Sequence, residues 1–185
     1  MARALAEAGA EKVYIVGRRV DVLQAAAASI NKPCVVPLYC DVTSKISLES
    51  IANVVENDVG YLNLVIANSG VGGPQVPAPQ EDTTIEEWRD QQLAIDVDEF
   101  NNTFKVNTIG VWYTAMAFLT LLDRGNKAGN LELSSQVIVT SSIGGFNKRA
   151  PGGYAYGQYV SFRNHPSLIE KAYSVKVKSC SQPYR

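Results

Sequence analysis

Four short β-rich runs, each continuous in apolar residues and each separated from the next by room for a helix, constrain this chain more than any other feature. Val13-Tyr14-Ile15-Val16 is closed by Gly17, Cys34 to Tyr39 reads CVVPLY, and Leu62 to Ala67 and Gln136 to Thr140 complete the set. Strands that are apolar without alternation are buried on both faces, which is the habit of parallel sheets. Parallel pairing needs long crossovers, and helices between strands supply them. The pattern predicts an α/β domain whose parallel sheet is covered on both sides. Pro37 has no N–H to give a ladder, so the second run is expected at an edge.

The intervening segments fit. Asp21 to Ile30 is an Ala-rich helix, and Ser44 to Glu56 places Leu48, Ile51, Ala52 and Val55 on one helical face. Residues 1–10 read as the last turns of a helix ended at Gly9. A Pro/Gly-rich loop, VGGPQVPAPQEDTT, follows Asn68-Ser69-Gly70, and Asp96 to Leu122 is a long, mainly apolar helical region. There is no internal repeat.

With 185 residues, the chain is long enough for one domain with a sizeable core. A net charge of -1 without a long basic run argues against nucleic acid or an anionic membrane as partner. No stretch is apolar for long enough to span a membrane, and Arg3 and Glu7 deny the N-terminus a signal peptide's apolar core. Three cysteines (Cys34, Cys40, Cys180) without a CxxC spacing predict a reduced, cytoplasmic protein. His165, the single histidine, has no cluster of ligating residues near it in sequence, so no metal site is expected.

Several polar residues punctuate this frame. Taken singly, each has an ordinary reading. Arg18 and Arg19 are loop charges, Asp41 is a helix N-cap, and Asn68-Ser69-Gly70 is a turn. Asn107, inside KVNTIGVW, is a poor interior helix residue because its side chain competes for backbone bonds. Ser141 and Ser142 end a strand before Gly144-Gly145, and Tyr154 and Tyr156 follow in VIVTSSIGGFNKRAPGGYAYGQ.

Taken together and in order, these motifs make residues 1–158 resemble the short-chain dehydrogenase/reductase family. The resemblance implies a Rossmann-like, doubly wound parallel sheet. It also implies an NAD(P)-dependent oxidoreductase that moves hydride between nicotinamide and an alcohol or carbonyl substrate. Ala8 to Arg19 matches the end of the first helix and the second strand, where a basic residue favours the 2′-phosphate of NADP. Arg18 and Arg19 therefore imply NADP, with NAD as the alternative. Asp41-Val42 matches the adenine-contacting pair, and Asn68-Ser69-Gly70 matches Asn-Ala-Gly with Ser replacing Ala. By the same resemblance, Asn107 bends its helix and holds a water of the proton relay, and Ser142 orients the carbonyl. Tyr156 is the acid/base, because Tyr-Gly-Gln fits the start of Tyr-x-x-Ser-Lys. A slightly long separation from Ser142 leaves Tyr154 open.

The chain departs from the family where the Lys belongs: Tyr156-Gly157-Gln158 continues as Tyr159-Val160. A tyrosine phenol ionises near pH 10, about a thousandfold short of being a phenolate at pH 7. A neighbouring ammonium corrects that, and valine does not. Nothing in the chain matches the family's first strand with its Gly-rich turn, or its C-terminal strands. An incomplete sheet is expected, with a slot between Val13–Val16 and Leu62–Ala67. Residues 1–158 would be a partial NAD(P)-binding domain and 159–185 an aberrant, poorly packed tail. NADPH is expected to bind weakly or not at all, as in a fragment with impaired activity. The alternative is a non-catalytic remnant that packs against an intact paralogue or against itself, as a homo-oligomer, through the helix around Phe100–Leu122.

Overall fold

The computed structural model describes residues 1–142, 153–157 and 176–182, the last stretch as backbone alone. Gly144-Gly145, Val160, His165 and the rest of the predicted tail apart from residues 176–182 lie outside the described residues. The elements alternate: α1 (Ala2–Glu7), β1 (Val13–Gly17), α2 (Val20–Ile30), β2 (Val35–Tyr39), α3 (Lys45–Asp58) and β3 (Leu64–Ala67). After the Pro/Gly-rich loop come α4 (Ile85–Leu93), α5 (Val97–Phe104), a π-helical turn (Lys105–Ile109), α6 (Gly110–Ala117), α7 (Leu119–Ala128), β4 (Gln136–Ser142) and β5 (Lys176–Gln182).

All pairings among the described residues are parallel. β1 pairs with β2 in one sheet, and β3, β4 and β5 form a second in that order. No ladder joins the two sheets among the described residues, so β1 and β3 each keep an edge without a strand partner, as the slot between them predicts. Pro37 lies opposite Ile15 on β2, whose one partner among the described residues is β1, so its missing N–H costs no second ladder there.

The main core lies where α3, α6 and α7 meet β3 and β4. Leu48, Ile51 and Val55 of α3 pack with Val65, Ala115, Leu121, Leu122 and Val137, with Ala52 at the margin. Ser44 caps α3 by accepting from the Ser47 N–H, which fixes where that apolar face begins. The first sheet has a smaller cluster, Ala6, Val13 and Val35, and α2 buries no residue fully. The amino ends of β3 and β4 are clasped to α7. The Leu62 N–H donates to the Leu121 carbonyl (2.9 Å), and the Ser135 hydroxyl donates to the Leu62 carbonyl (3.1 Å). Gly125 permits this approach, because a Cβ there would overlap the Leu62 carbonyl.

Three features depart from the sequence-based expectation. Ile85–Leu93 is a helix, opened by a reciprocal capping box between Thr84 and Glu87. The long helical region is not one helix: it widens to a π turn around Asn107, breaks at Phe118 and runs on to Ala128. Lys176–Gln182, inside the predicted poorly packed tail, is a strand in register with the whole of β4.

Candidate active site

Four of the segments singled out in the sequence lie at the carboxyl ends of their strands. Arg18 and Arg19 follow β1, Asp41 and Val42 follow β2, Asn68-Ser69-Gly70 follows β3, and Ser142 is the last residue of β4. In open parallel sheets these ends carry ligand sites, because the crossovers leave a crevice there.

On the β1–β2 side, the Cys40 N–H donates to the Gly17 carbonyl (3.0 Å) and carries the pairing one step past the strands. Asp41 is not the helix N-cap; Ser44 is. Its Oδ1 instead accepts from the Thr43 N–H (2.9 Å) and hydroxyl (2.8 Å), closing an Asx turn. The Thr43 backbone N–H, then its hydroxyl, holds the Asp41 carboxyl below its ordinary pKa, and the charges of Arg18 and Lys105 push the same way. Both hydrogen bonds fall on Oδ1, which leaves Oδ2 turned to no donor among the described residues. Arg18 and Arg19 are exposed and form no ion pair among the described residues. Val42 meets the helical run at Gly110, where a Cβ would stand 3.1 Å from the Val42 carbonyl oxygen. Burial pushes the neighbouring Cys40 thiol up, so it is an apolar packing group there.

On the β3–β4 side, the Thr140 hydroxyl donates to Asn68 Oδ1 (2.9 Å), tying the ends of two paired strands together. Asn107 is wholly buried in the π turn. Its Nδ2 donates to the Val71 carbonyl (2.8 Å), and its Oδ1 accepts from the Val71 N–H (2.8 Å). The helical run is π-helical at this residue, and its carboxamide holds the backbone just past Gly70. A Cβ at Gly70 would lie 3.3 Å from that Oδ1, so the small residue serves this contact. Ser142 is buried at the end of β4, and Tyr156 is half-buried on a helical turn over 154–157.

Sequence reasoning missed Val71, Thr43 and Thr140. Asp-x-Thr is the spacing of an Asx turn and was available as a signal. The Val71 and Thr140 partnerships depend on tertiary placement and leave no local mark.

The sequence matches the short chain dehydrogenase family over residues 1–158. The chain belongs to that family. It is 42% identical over 179 residues to the short-chain dehydrogenase/reductase SAT3 of Stachybotrys chartarum, covering 89% of this chain and 65% of the relative. It is also 42% identical over 155 residues to the short-chain dehydrogenase/reductase PhomF′ of Diaporthe leptostromiformis, covering 83% of this chain and 53% of that protein. The chain thus spans between about half and two thirds of these curated relatives. Among solved structures, an alcohol dehydrogenase from Thermococcus sibiricus complexed with 5-hydroxy-NADP superposes with a TM-score of 0.68 at 23% identity, over 98% of this chain and 70% of that one. That likeness shows the Rossmann-like fold. Among the described residues, no helix is long and apolar enough to cross a membrane, and no cluster of His, Cys, Asp or Glu is arranged to hold a metal ion.

Proposed function

We propose that this chain carries the site of an NADP-linked oxidoreductase acting on an alcohol or carbonyl, in a form whose catalysis is impaired. The observation that carries the reading is the gathering of the family's motif residues at the carboxyl ends of four parallel strands, on a chain that matches the family over residues 1–158. The residues suit a dinucleotide: a carboxylate oxygen at Asp41 is available to an adenine amine, and two exposed guanidinium groups stand one strand away. A bound nicotinamide would supply or accept the hydride. The chain's own groups would do the rest. Arg18 and Arg19 would hold the 2′-phosphate, and Asp41 and Val42 the adenine. Asn68, Ser69 and Gly70 would line the approach. Ser142 would donate a hydrogen bond to the substrate oxygen, and Tyr156 would give that oxygen its proton or take it back. Asn107 would hold the Val71 backbone and the water of the proton relay.

Impairment follows from Val160, four residues after Tyr156, where the family places the Lys that favours the phenolate. Residues 1–158 would form the nucleotide-binding unit, to which the remainder adds the strand Lys176–Gln182 beside β4, in a cytoplasmic protein. The cofactor half of the proposal is tested with adenosine 2′,5′-bisphosphate and AMP by titration calorimetry. The bisphosphate should bind more tightly, and Arg18→Ala with Arg19→Ala should erase the difference. Equal affinities in the parent chain would refute the preference for NADP over NAD.

A second reading rests on Ile109 and Trp112, which are 48% and 45% exposed and three residues apart on the helical run. Two such apolar side chains on one face suit a homo-oligomer or an intact paralogue. A monomer by light scattering, alone and with a paralogue, would remove it.

A further inference from the structure

Tyr156 sits on the helical turn described over residues 154–157, closed by the Gly157 N–H donating to the Gly153 carbonyl (3.0 Å). One turn does not hold its own position: helix nucleation fixes many dihedrals for one bond. Something outside it must.

Two contacts do so. Gly153 has φ +85°, in the left-handed region, and a Cβ there would overlap the Pro74 carbonyl oxygen and lie 3.3 Å from the Gly73 carbonyl carbon. The turn thus begins with its backbone pressed on the loop at Gly73-Pro74, an approach open to glycine alone. One residue later, the Tyr154 ring meets Trp88 of α4 edge-on, with centroids 6.1 Å apart and planes at 86°. Such a T-shaped pair is a favoured aromatic geometry. The Trp88 indole N–H is buried without a hydrogen-bond partner among the described residues, so packing rather than a polar anchor places this ring. Ala155, between the two tyrosines, is 1% exposed, which leaves the turn no room to roll.

The loop that receives Gly153 is itself held. Val71, two residues before Gly73, makes both hydrogen bonds to buried Asn107. The capping box at Thr84 starts α4 at the loop's far end, four residues before Trp88. The loop is therefore fixed at one end by Asn107 and at the other by α4, and the Tyr156 turn leans on it at two points.

We propose that Trp88 and Gly153 are positioning residues for Tyr156, acting through Tyr154 and through the Gly73-Pro74 backbone. The inference rests on the reading of Tyr156 as the acid/base for its catalytic meaning, but the brace itself is tested separately. It also gives Tyr154 a packing role beside Tyr156.

The test uses the full chain with 3-fluorotyrosine at its nine tyrosines. Fluorine resonances are assigned by single Tyr→Phe substitutions. Trp88→Leu, which keeps an apolar side chain on α4, should move the Tyr154 and Tyr156 lines together and leave Tyr14 unchanged. Trp88→Phe, which restores an aromatic edge, should return both lines toward their starting positions. Gly153→Ala should move Tyr156 as well. If Trp88→Leu moves Tyr154 alone, or if Phe fails to restore what Leu displaced, the brace is wrong. If Tyr14 also moves in Trp88→Leu, the Phe variant and Gly153→Ala decide: an unmoved Tyr156 line in Gly153→Ala overturns the proposal. The two readings fail differently. Lines that move as predicted, beside NADPH-linked turnover in the Tyr159→Ser, Val160→Lys chain that survives Tyr156→Phe, would leave the brace standing and remove the oxidoreductase reading.

Discussion

The two sheets present different kinds of site. Beyond β3 and β4, the polar groups are locked: Asn107 is wholly buried and doubly bonded to Val71, Asn68 is held by Thr140, and Ser142 is buried. Beyond β1 and β2, Arg18 and Arg19 stand exposed on a two-stranded sheet whose own core is Ala6, Val13 and Val35. The contrast suits the roles proposed for the two ends. Proton transfer requires placement within tenths of an ångström, which buried networks give. Discrimination of a phosphate needs charge within reach, which an exposed guanidinium gives. Substituting a site residue on the first side should therefore cost stability, and substituting Arg18 or Arg19 on the second chiefly affinity.

Core deletions break or support this contrast most strongly. Leu122→Ala empties a fully buried site under β4 and should cost about 2–5 kcal/mol by urea unfolding. Val35→Ala, in the small cluster, should cost about 1.5 kcal/mol. Equal losses would mean that the two sheets are equally well built.

Next in size, Asn107→Ala leaves the Val71 N–H and carbonyl without partners, at roughly 1–3 kcal/mol for each group that water does not reach. Arg18→Ala should stay within about 0.5 kcal/mol of the parent in the same measurement.

A pH scan sharpens how the halves are joined. Lys12 and Tyr14 of the first sheet's segment both donate to Asp58 at the end of α3, at 2.7 and 2.6 Å to Oδ2. The Lys12 bond, then the Tyr14 bond, holds the Asp58 carboxyl below its ordinary pKa. Its folded value is depressed, so its contribution is present above the unfolded carboxylate pKa, about 3.9, and lost as pH falls through the folded value. Burial, then the bond to Asp58, raises the Tyr14 phenol. Its share is present below the unfolded phenol pKa, about 10, and lost as pH rises through the folded value. Asp58→Asn should flatten the acid limb of the stability curve. An unchanged acid limb would remove this link. The smallest effect belongs to Lys127→Ala, which loses an exposed i,i+4 pair with Asp123 and should change stability by less than about 0.5 kcal/mol.

Much of this was legible in the residues. Continuous apolar runs placed β1 to β4, and Leu48, Ile51 and Val55 declared the buried face of α3. Helix α4 was legible and overlooked: Thr84-Ile85-Glu86-Glu87 is a capping-box signature, but Ile85 and Leu93 are exposed, so no apolar stripe announces the helix. β5 was missed because KVKSCSQ lacks the apolar continuity that marked the other strands. Asn107 stood out as a poor helix former, yet its partner Val71 lies 36 residues away and leaves no trace in local sequence. Tertiary contacts of that kind are what sequence reading loses.

The central claim is the proposal that Tyr156 is the acid/base of a family-type site in which Val160 stands where the family places its Lys. The most direct measurement is NADPH consumption with a panel of aldehydes and ketones, by the parent chain and by a Tyr159→Ser, Val160→Lys variant that also carries the family's N-terminal strand and Gly-rich turn. The account predicts negligible turnover in the parent and a gain of roughly 10²-fold or more in the variant, lost on adding Tyr156→Phe and kept on adding Tyr154→Phe. Robust turnover by the parent chain, or a gain that survives Tyr156→Phe, would contradict it.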